Sequence, residues 1–389
     1  MGLIRLIEIF RKKVTQQVEK GHNVYFQDAD NLYPNRVKGL IEDSPTAFRS
    51  SLLMAKFIVG SGLTDQTLYD KIIDKTLNLD VYSFSHVLAK SIAMQNGYFV
   101  HITYKFENNL IVPSYSKVIP FEYCRISKDD ENGYIGKLLV SDWTDEDDSL
   151  TSQKDNTIKT LYPFTKNQND LKAQIVDFWS KIKPNDEFNL IEAIKVFKGQ
   201  YYYYNPNIGN VYPLAKIHPV MNDCDTEYRM SNYTNICFRL GMLGKTVIHT
   251  NNLTEEQEEQ IYKVFEDFLG DETVGNMAFI PVNLPDDRTF DDAVKITQLK
   301  PQYDEDFMEK TKVNVRKNIM AQFNNIPEAL VMASDGSLFG TSGDTYNEMK
   351  LFYSEQNDEE RRAVQKFFKD VYDIEVEFDT FGVKTVTND

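Results

Sequence analysis

Cysteine, histidine and positive charge are all scarce in this chain of 389 residues. Its three cysteines, Cys124, Cys224 and Cys237, form no C-x-x-C pair and cannot supply a disulfide framework. They fit a reducing compartment, as small buried hydrophobes. The five histidines, at 22, 86, 101, 218 and 249, stand apart from one another and from the cysteines, so no zinc-ligand spacing is readable. Against 59 Asp and Glu there are only 43 Lys and Arg, a balance of −16 that argues against a protein gripping DNA over its whole surface. No apolar run is long enough to span a bilayer. Met1 to Val14 is too charged for a signal peptide, and Leu6 departs from the myristoylation pattern that Met-Gly opens. A serine nucleophile elbow, a Walker loop with its lysine and a dinucleotide glycine fingerprint are also missing. We therefore expect no catalytic, cofactor or metal residues and no enzyme.

What the chain does contain is material for a core: 41% hydrophobic and 13% aromatic residues, with charged residues held to 26%. At about 150 residues per domain, its length suggests two or three packing units. Leu3 to Val18 forms a short amphipathic pattern, an arm that needs a partner surface. Pro34 then suits the first turn of a helix over Val37, Leu40 and Ile41, and Ser44-Pro45 restarts the pattern through Leu52, Ala55 and Ile58 until Gly60 and Gly62. A third helix is expected over Ser85 to Asn96. Alternation follows at Tyr98 to Lys105, Ile111 to Ile119 and Lys137 to Ser141, which predicts an α+β half with an antiparallel sheet. Thr144 to Thr157 is polar and acidic, an exposed loop. Helical spacing resumes at Leu171 to Lys183, and Val196 to Tyr204 fits a strand.

Pro206, Gly209 and Pro213 mark the best domain boundary. Beyond it, Ala215 to Leu243 reads as one long helix with Pro219 fixing its effective start. Thr246 to His249, Thr254 to Leu269 and Met277 to Val282 then read as strand, helix, strand, the helix signalled by Thr254 with Gln257 and closed by Gly270. A second long helix, Asp304 to Asn325, places Glu305, Asp306 and Glu309 early and Lys310, Lys312, Arg316 and Lys317 later, as the helix dipole prefers. After a glycine-bearing loop, a third runs from about Asp344 to Tyr372, and Ile374 to Phe381 reads as a short strand-like tail.

Few of these residues point to chemistry. The run Asp142 to Asp148 has carboxylates for a divalent cation but not the spacing of an EF-hand loop, so a solvated loop is the better reading. Tyr201 to Tyr204 resembles a base-stacking platform only superficially, because no basic residues interleave with the tyrosines; alternate burial on a strand is expected. Gly336 to Gly343 reads as a flexible loop. Lys310, Lys312, Arg316 and Lys317 are a local cationic cluster whose plain reading is a solvated face or intersubunit salt bridges, with nucleic-acid contact as the alternative.

The order of pieces is more telling than any one of them. Asn31-Leu32-Tyr33-Pro34 leads into Lys56-Phe57-Ile58-Val59-Gly60-Ser61-Gly62, then Asn96-Gly97-Tyr98, then Val118-Ile119-Pro120 with Arg125. Tyr212-Pro213-Leu214, a helix with Asn235 and Gly241, and Leu253-Thr254-Glu255-Glu256-Gln257 come next. Arg316 to Ile326, Pro327, Leu330, Gly336, Gly340 and Glu348 complete the series. Over nearly its whole length the chain resembles the portal proteins of tailed bacteriophages, especially those of phages or prophages from the Bacteroidetes group.

That resemblance implies an α/β wing, two long stem helices, a small α/β clip, a tunnel loop and a long C-terminal helix. By position, 1–213 is the N-terminal arm and wing, 214–243 the first stem helix, 244–303 the clip and 304–326 the second stem helix. Residues 327–343 are then the tunnel loop and 344–389 a wing or crown helix with its tail. It further implies a homo-oligomeric ring, usually of twelve copies, at one capsid vertex of the virion, assembled in the host bacterial cytoplasm. Double-stranded DNA would pass through the ring, and the terminase large subunit, a head–tail adaptor and the major capsid protein would be its partners; no membrane is involved. Ser337, Leu338, Phe339 and Gly340 are the tunnel-loop candidates, and Lys310, Arg316 and Lys317 the stem candidates for the lumen. The competing readings are a non-portal virion structural or adaptor protein and, further off, a metal-dependent enzyme.

Overall fold

The computed structural model describes residues 24–128, 136–143, 159–207, 209–240, 245–250, 294–299, 305–331 and 343–381, with the helical positions Glu255, Glu256, Glu259 and Lys263. The expected N-terminal arm, the acidic loop from Thr144, most of the helix over Thr254 to Leu269, the strand over Met277 to Val282 and the tunnel-loop candidates lie outside these residues.

The chain divides into two compact units, one of 1–224 with 317–389 and the other of 225–316. The first opens with helix α1 (Tyr33–Asp43), started by Pro34 and burying Val37 and Ile41. Helix α2 (Pro45–Val59) begins where Ser44 accepts a hydrogen bond from the Ala47 amide at 3.2 Å. It ends at Gly60, whose φ of 72° and whose missing Cβ are both required, since a Cβ there would lie 2.2 Å from the Asp379 carbonyl oxygen. Strand β1 (Gly62–Leu63), a 3-10 turn (Gln66–Asp70) and the short pair β2 (Ile72–Asp74) and β3 (Leu79–Asp80) lead to helix α3 (Val81–Gln95). This helix starts four residues earlier than its periodicity suggests, because Asp80 caps it by accepting from the Ser83 amide at 2.7 Å. It stops at Asn96 in the left-handed region, as its Asn-Gly signal predicts.

Strands β4 (Tyr98–Glu107) and β5 (Leu110–Ile119) form a hairpin, followed by β6 (Cys124–Ile126), β7 (Leu138–Val140) and β8 (Lys159–Pro163). Helices α4 (Gln168–Ile182) and α5 (Leu190–Val196) then lead to β9 (Gln200–Tyr204). The six-stranded sheet has the order β5-β4-β9-β8-β7-β6. It is antiparallel as expected, with one correction: β8 and β9 pair in parallel. A parallel pair needs a crossover, which α4 and α5 supply. The strand expected from Val196 begins only at Gln200, because Val196 ends α5 and Gly199 turns the chain at φ 99°.

The alternate tyrosines pack both faces of this sheet. Phe99 meets Tyr203 at 4.3 Å and Tyr201 at 6.4 Å between ring centroids, whereas Tyr98 meets Tyr204 at 5.4 Å and Tyr202 at 6.2 Å. The core reading of Tyr201 to Tyr204 therefore stands. On the Phe99 face, Phe121, Cys124, Ile126, Leu138, Leu161 and Tyr212 complete a cluster. A second cluster joins α4 and α5 to the sheet through Ile111, Tyr162, Ile175, Trp179 and Phe197.

Helix α6 (Met221–Leu240) follows a 3-10 turn at His218–Val220, so the long helix has its effective start after Pro219, as expected. The chain enters the second unit along α6. Within that unit β10 (Lys245–Thr250) pairs antiparallel with β11 (Val294–Leu299), a partner that the sequence reading did not anticipate. The chain then returns along helix α7 (Glu305–Gln322). A short helix α8 (Glu328–Val331) follows Pro327. The single C-terminal helix expected from Asp344 is two, α9 (Gly343–Gln356) and α10 (Asp358–Tyr372). They break at Asn357, whose amide donates to the Tyr353 carbonyl at 2.6 Å and whose Oδ1 accepts from Asn324 at 3.1 Å. Helix α10 presses Phe367 and Phe368 onto Phe84 of α3, and Tyr98 donates to the Ala363 carbonyl at 2.9 Å. Strand β12 (Phe378–Asp379) closes the chain against β1.

Candidate functional site

The stem candidates all lie on α7. Lys310 is exposed beside Asp306 one turn earlier, 3.7 Å away, a contact of little energetic weight between solvated groups. Lys312 and Lys317 are exposed. At 3.6 residues per turn, Lys310 and Lys317, seven apart, share a face, while Arg316 is turned about 100° from Lys317. Arg316 reaches Glu227 of α6, its Nε 3.8 Å from an oxygen of a carboxylate that is only 9% exposed. Thus Arg316 carries an internal partner, and Lys310, Lys312 and Lys317 stay in solvent. Ser337, Leu338, Phe339 and Gly340 fall outside the described residues.

Where α7 ends and α6 begins, a polar junction holds three segments of the first unit together. Lys216 donates to Glu360 of α10 at 2.8 Å and to the Asn324 Oδ1 at 3.0 Å. Asn324 donates in turn to the Gln356 carbonyl, to Asn357 and to Glu360 at 3.0–3.1 Å. Asn324 and Asn325 both sit at φ 55°, a conformation asparagine tolerates, and this turns the chain out of α7 before Pro327. The Lys216 and Glu360 side chains are 13% and 11% exposed, and Glu360 Oε2 is buried without a partner. The Asn-Asn-Ile-Pro sequence was the one local signal of this junction; its lysine and glutamate had none.

A second polar centre anchors the start of the described chain. Arg125 on β6 is fully buried and has no carboxylate partner among the described residues. Its guanidinium donates to Asn31 Oδ1 at 2.6 Å, to the Asn31 carbonyl at 2.5 Å and to the Cys124 carbonyl at 2.8 Å, and it lies 5.3 Å from the Trp143 ring. Burial lowers its pKa to about 10, yet it stays charged at neutral pH. These bonds tie Asn31, before α1, to Arg125 on β6.

Among the described residues no group of three or more His, Cys, Asp or Glu converges on a point that could hold a metal. Cys124 is buried, and burial pushes its thiol pKa up, the reverse of activation. His218 meets the Tyr33 hydroxyl at 3.2 Å, and Tyr33, pushed up to about 12 chiefly by burial, remains a neutral phenol. No helix among the described residues is long and apolar enough to cross a membrane.

No family model and no curated protein matches the chain. Among solved structures it is similar to a chain of the neck of an empty gene transfer agent particle computed with C6 symmetry, with 11% identity, 90% of this chain and 85% of that chain covered, and a TM-score of 0.49. It is similar to a chain of the native particle's neck computed with C12 symmetry, at 13% identity, coverage of 88% and 83%, and a TM-score of 0.44. A third similarity is to an HK97-family phage portal protein from Corynebacterium diphtheriae, at 9% identity, coverage of 88% and 94%, and a TM-score of 0.44. These three are two chains of gene transfer agent particle necks and one phage portal protein, at identities that assign no activity.

Proposed function

We propose that this chain is a portal subunit, which closes with identical copies into a ring at one capsid vertex and conducts double-stranded DNA. The observation that carries the reading is the state of the two long helices. Of α6 from Met221 to Ile236, only Cys224 and Glu227 are buried. Tyr228 and Ile236 are each 43% exposed, and Val313 on α7 is 42% exposed. A 20-residue helix with so little packing draws most of its stability from tertiary contact, and apolar side chains left half in water call for a partner surface. Copies of the same chain supply one. Each such side chain that a neighbour covers contributes about 1 kcal/mol.

In this reading α6 and α7 are the stem, the unit of 225–316 with its β10–β11 pair is centred on the clip, and the larger unit is the wing. The tunnel loop spans 327–343, with Ser337, Leu338, Phe339 and Gly340 at its tip. Lys310 and Lys317 face the lumen, with Arg316 bound to Glu227 behind them. The net charge of −16 suits a conduit. Each phosphate neutralised by Lys or Arg adds affinity that resists sliding, so a mainly acidic bore relieved by a few lysines keeps the duplex centred and mobile. The ring comprises twelve copies and docks the terminase large subunit during packaging and a head–tail adaptor afterwards. It is seated in the major capsid protein shell of the virion after assembly in the bacterial cytoplasm. The Bacteroidetes assignment of the host rests on the sequence resemblance alone.

The test is mass photometry of the purified chain and of an Ile236→Asp, Val313→Asp variant. The parent should populate a single ring mass. The variant, altered only at exposed positions, should keep its far-ultraviolet circular dichroism and remain a monomer. Rings that form equally well in both would remove the helices from the subunit contact.

A further inference from the structure

The first unit carries a basic cluster that no carboxylate among the described residues neutralises, in a chain that is otherwise acidic. His101 on β4 is held between two hydrogen bonds: its Nε2 donates to the Lys198 carbonyl at 2.7 Å, and its Nδ1 accepts from the Lys159 ammonium at 3.2 Å. Gly199 permits this approach, since a Cβ there would come within 2.8 Å of the His101 Nε2. Lys117 pairs with His101 across the β4–β5 ladder, which sets both on one face of the sheet. One imidazole thus gathers lysines from β5, from the start of β8 and from the turn before β9.

Lys117, Lys159 and Lys198 are exposed, and none forms an ion pair among the described residues. Burial and then the charges of Lys198 and Lys117 lower the Lys159 pKa, with no carboxylate acting against them. Across the sheet Lys159 stands opposite Val140, and Val140 opposite Cys124. The acids flanking those two positions are already engaged: Glu122 holds Lys38 at 2.8 Å, and Asp142 has a contact of its own.

Like charges gathered in this way repel one another, and an anion relieves that cost. The donors are set in advance. His101, fixed at both ring nitrogens, fixes in turn where the Lys159 ammonium sits, and that ammonium keeps two of its three protons for a ligand. A carboxylate would bring one negative charge to three cations, whereas a terminal phosphate brings about two with three acceptor oxygens, and successive backbone phosphates bring as many.

We propose that Lys117, Lys159 and Lys198, set around His101, form a phosphate-binding site on the sheet of the first unit, which takes a phosphate carried by a small phosphate compound or by a nucleic-acid backbone. The site is built from the first unit alone and does not depend on the ring.

The full chain is titrated calorimetrically at fixed ionic strength with sodium tripolyphosphate and with a short DNA duplex. A Lys117→Gln, Lys159→Gln, Lys198→Gln variant is compared with the parent and with Lys90→Gln, which removes an exposed lysine of α3, and circular dichroism confirms that each is folded. For at least one probe the triple variant should bind about tenfold more weakly than the parent, with Lys90→Gln unchanged. Should the triple variant not fold, Lys117→Gln with Lys198→Gln, which leaves the Lys159–His101 contact in place, should weaken the same probe. Loss of tripolyphosphate binding assigns the site to a small phosphate compound. Loss confined to the duplex, with the slope of log K against log salt shallower by about 0.9 for each lysine removed, assigns it to a backbone. Equal affinities in the parent and the lysine variants for both probes, or a parent that binds neither, overturn the site. Polyglutamate bound as tightly as either probe and lost in the same variant overturns its phosphate character.

Discussion

Lys216 and Glu360, 144 residues apart in the chain, meet at 2.8 Å with their side chains almost wholly withdrawn from water. The pair ties the segment entering α6 to α10, and through Asn324 it also holds the exit of α7. Removing one partner leaves the other charge buried. Lys216→Met is therefore expected to cost about 3 kcal/mol of stability, whereas Lys216→Met with Glu360→Leu should cost clearly less. Urea unfolding of the parent, the single and the double variants checks the ordering; equal losses would show that the pair is not coupled.

Arg125 gives a second measurable expectation. Its donors reach Asn31 and the Cys124 carbonyl in a fork that an ammonium cannot reproduce. Arg125→Met should destabilise the first unit by about 3 kcal/mol, and Arg125→Lys should recover less than half of that. Rescue by lysine to within experimental error would mean that charge alone, and not the fork, holds the segment.

His101 makes stability depend on pH. Burial, then the charge of Lys159, lowers its pKa from 6.5 to about 4. Its folded-state value lies below its unfolded value, so between those values the unfolded chain binds the proton and the folded chain does not. The associated stability is present above about pH 6.5 and is lost as pH falls towards 4. The loss is at most about 3 kcal/mol, reduced by the ring's partial contact with solvent. Thermal melts from pH 7 to pH 4 should fall more steeply in the parent than in His101→Gln; parallel curves would contradict the assignment.

Replacing Ser337, Leu338 and Phe339 with glycine tests the proposed tunnel loop. Rings should form as before, while packaged DNA is retained or translocated less well. Packaging at parental efficiency would remove these residues from the channel.

Local chemistry made much of the helical framework legible in the sequence. Ser44-Pro45, Gly60 and Asn96 punctuate the chain where the backbone turns, and Phe99 and Tyr203 alternate with Tyr98 and Tyr202 as a strand requires. What escaped was set by distant partners. The parallel pairing of β8 with β9 depends on a crossover, and the break at Asn357 has no glycine or proline to announce it because a hydrogen bond from Asn324 stabilises it. The cap at Asp80 lies ahead of the Val87, Leu88 and Ile92 spacing, which by itself places the helix start later. The candidate surfaces were harder still. Lys117, Lys159 and Lys198 come from three separate segments, and only the sheet brings them around His101. On α7 the cationic residues were visible as a cluster, but that Arg316 turns to Glu227 while Lys310 and Lys317 do not follows from the register of one helix against another.

Electron microscopy of the purified full chain tests the central claim most directly. The account predicts twelve-fold rings with an open central channel in end views, built from one kind of subunit. A sample that stays monomeric across micromolar to millimolar concentrations, or that assembles without a channel, would contradict it.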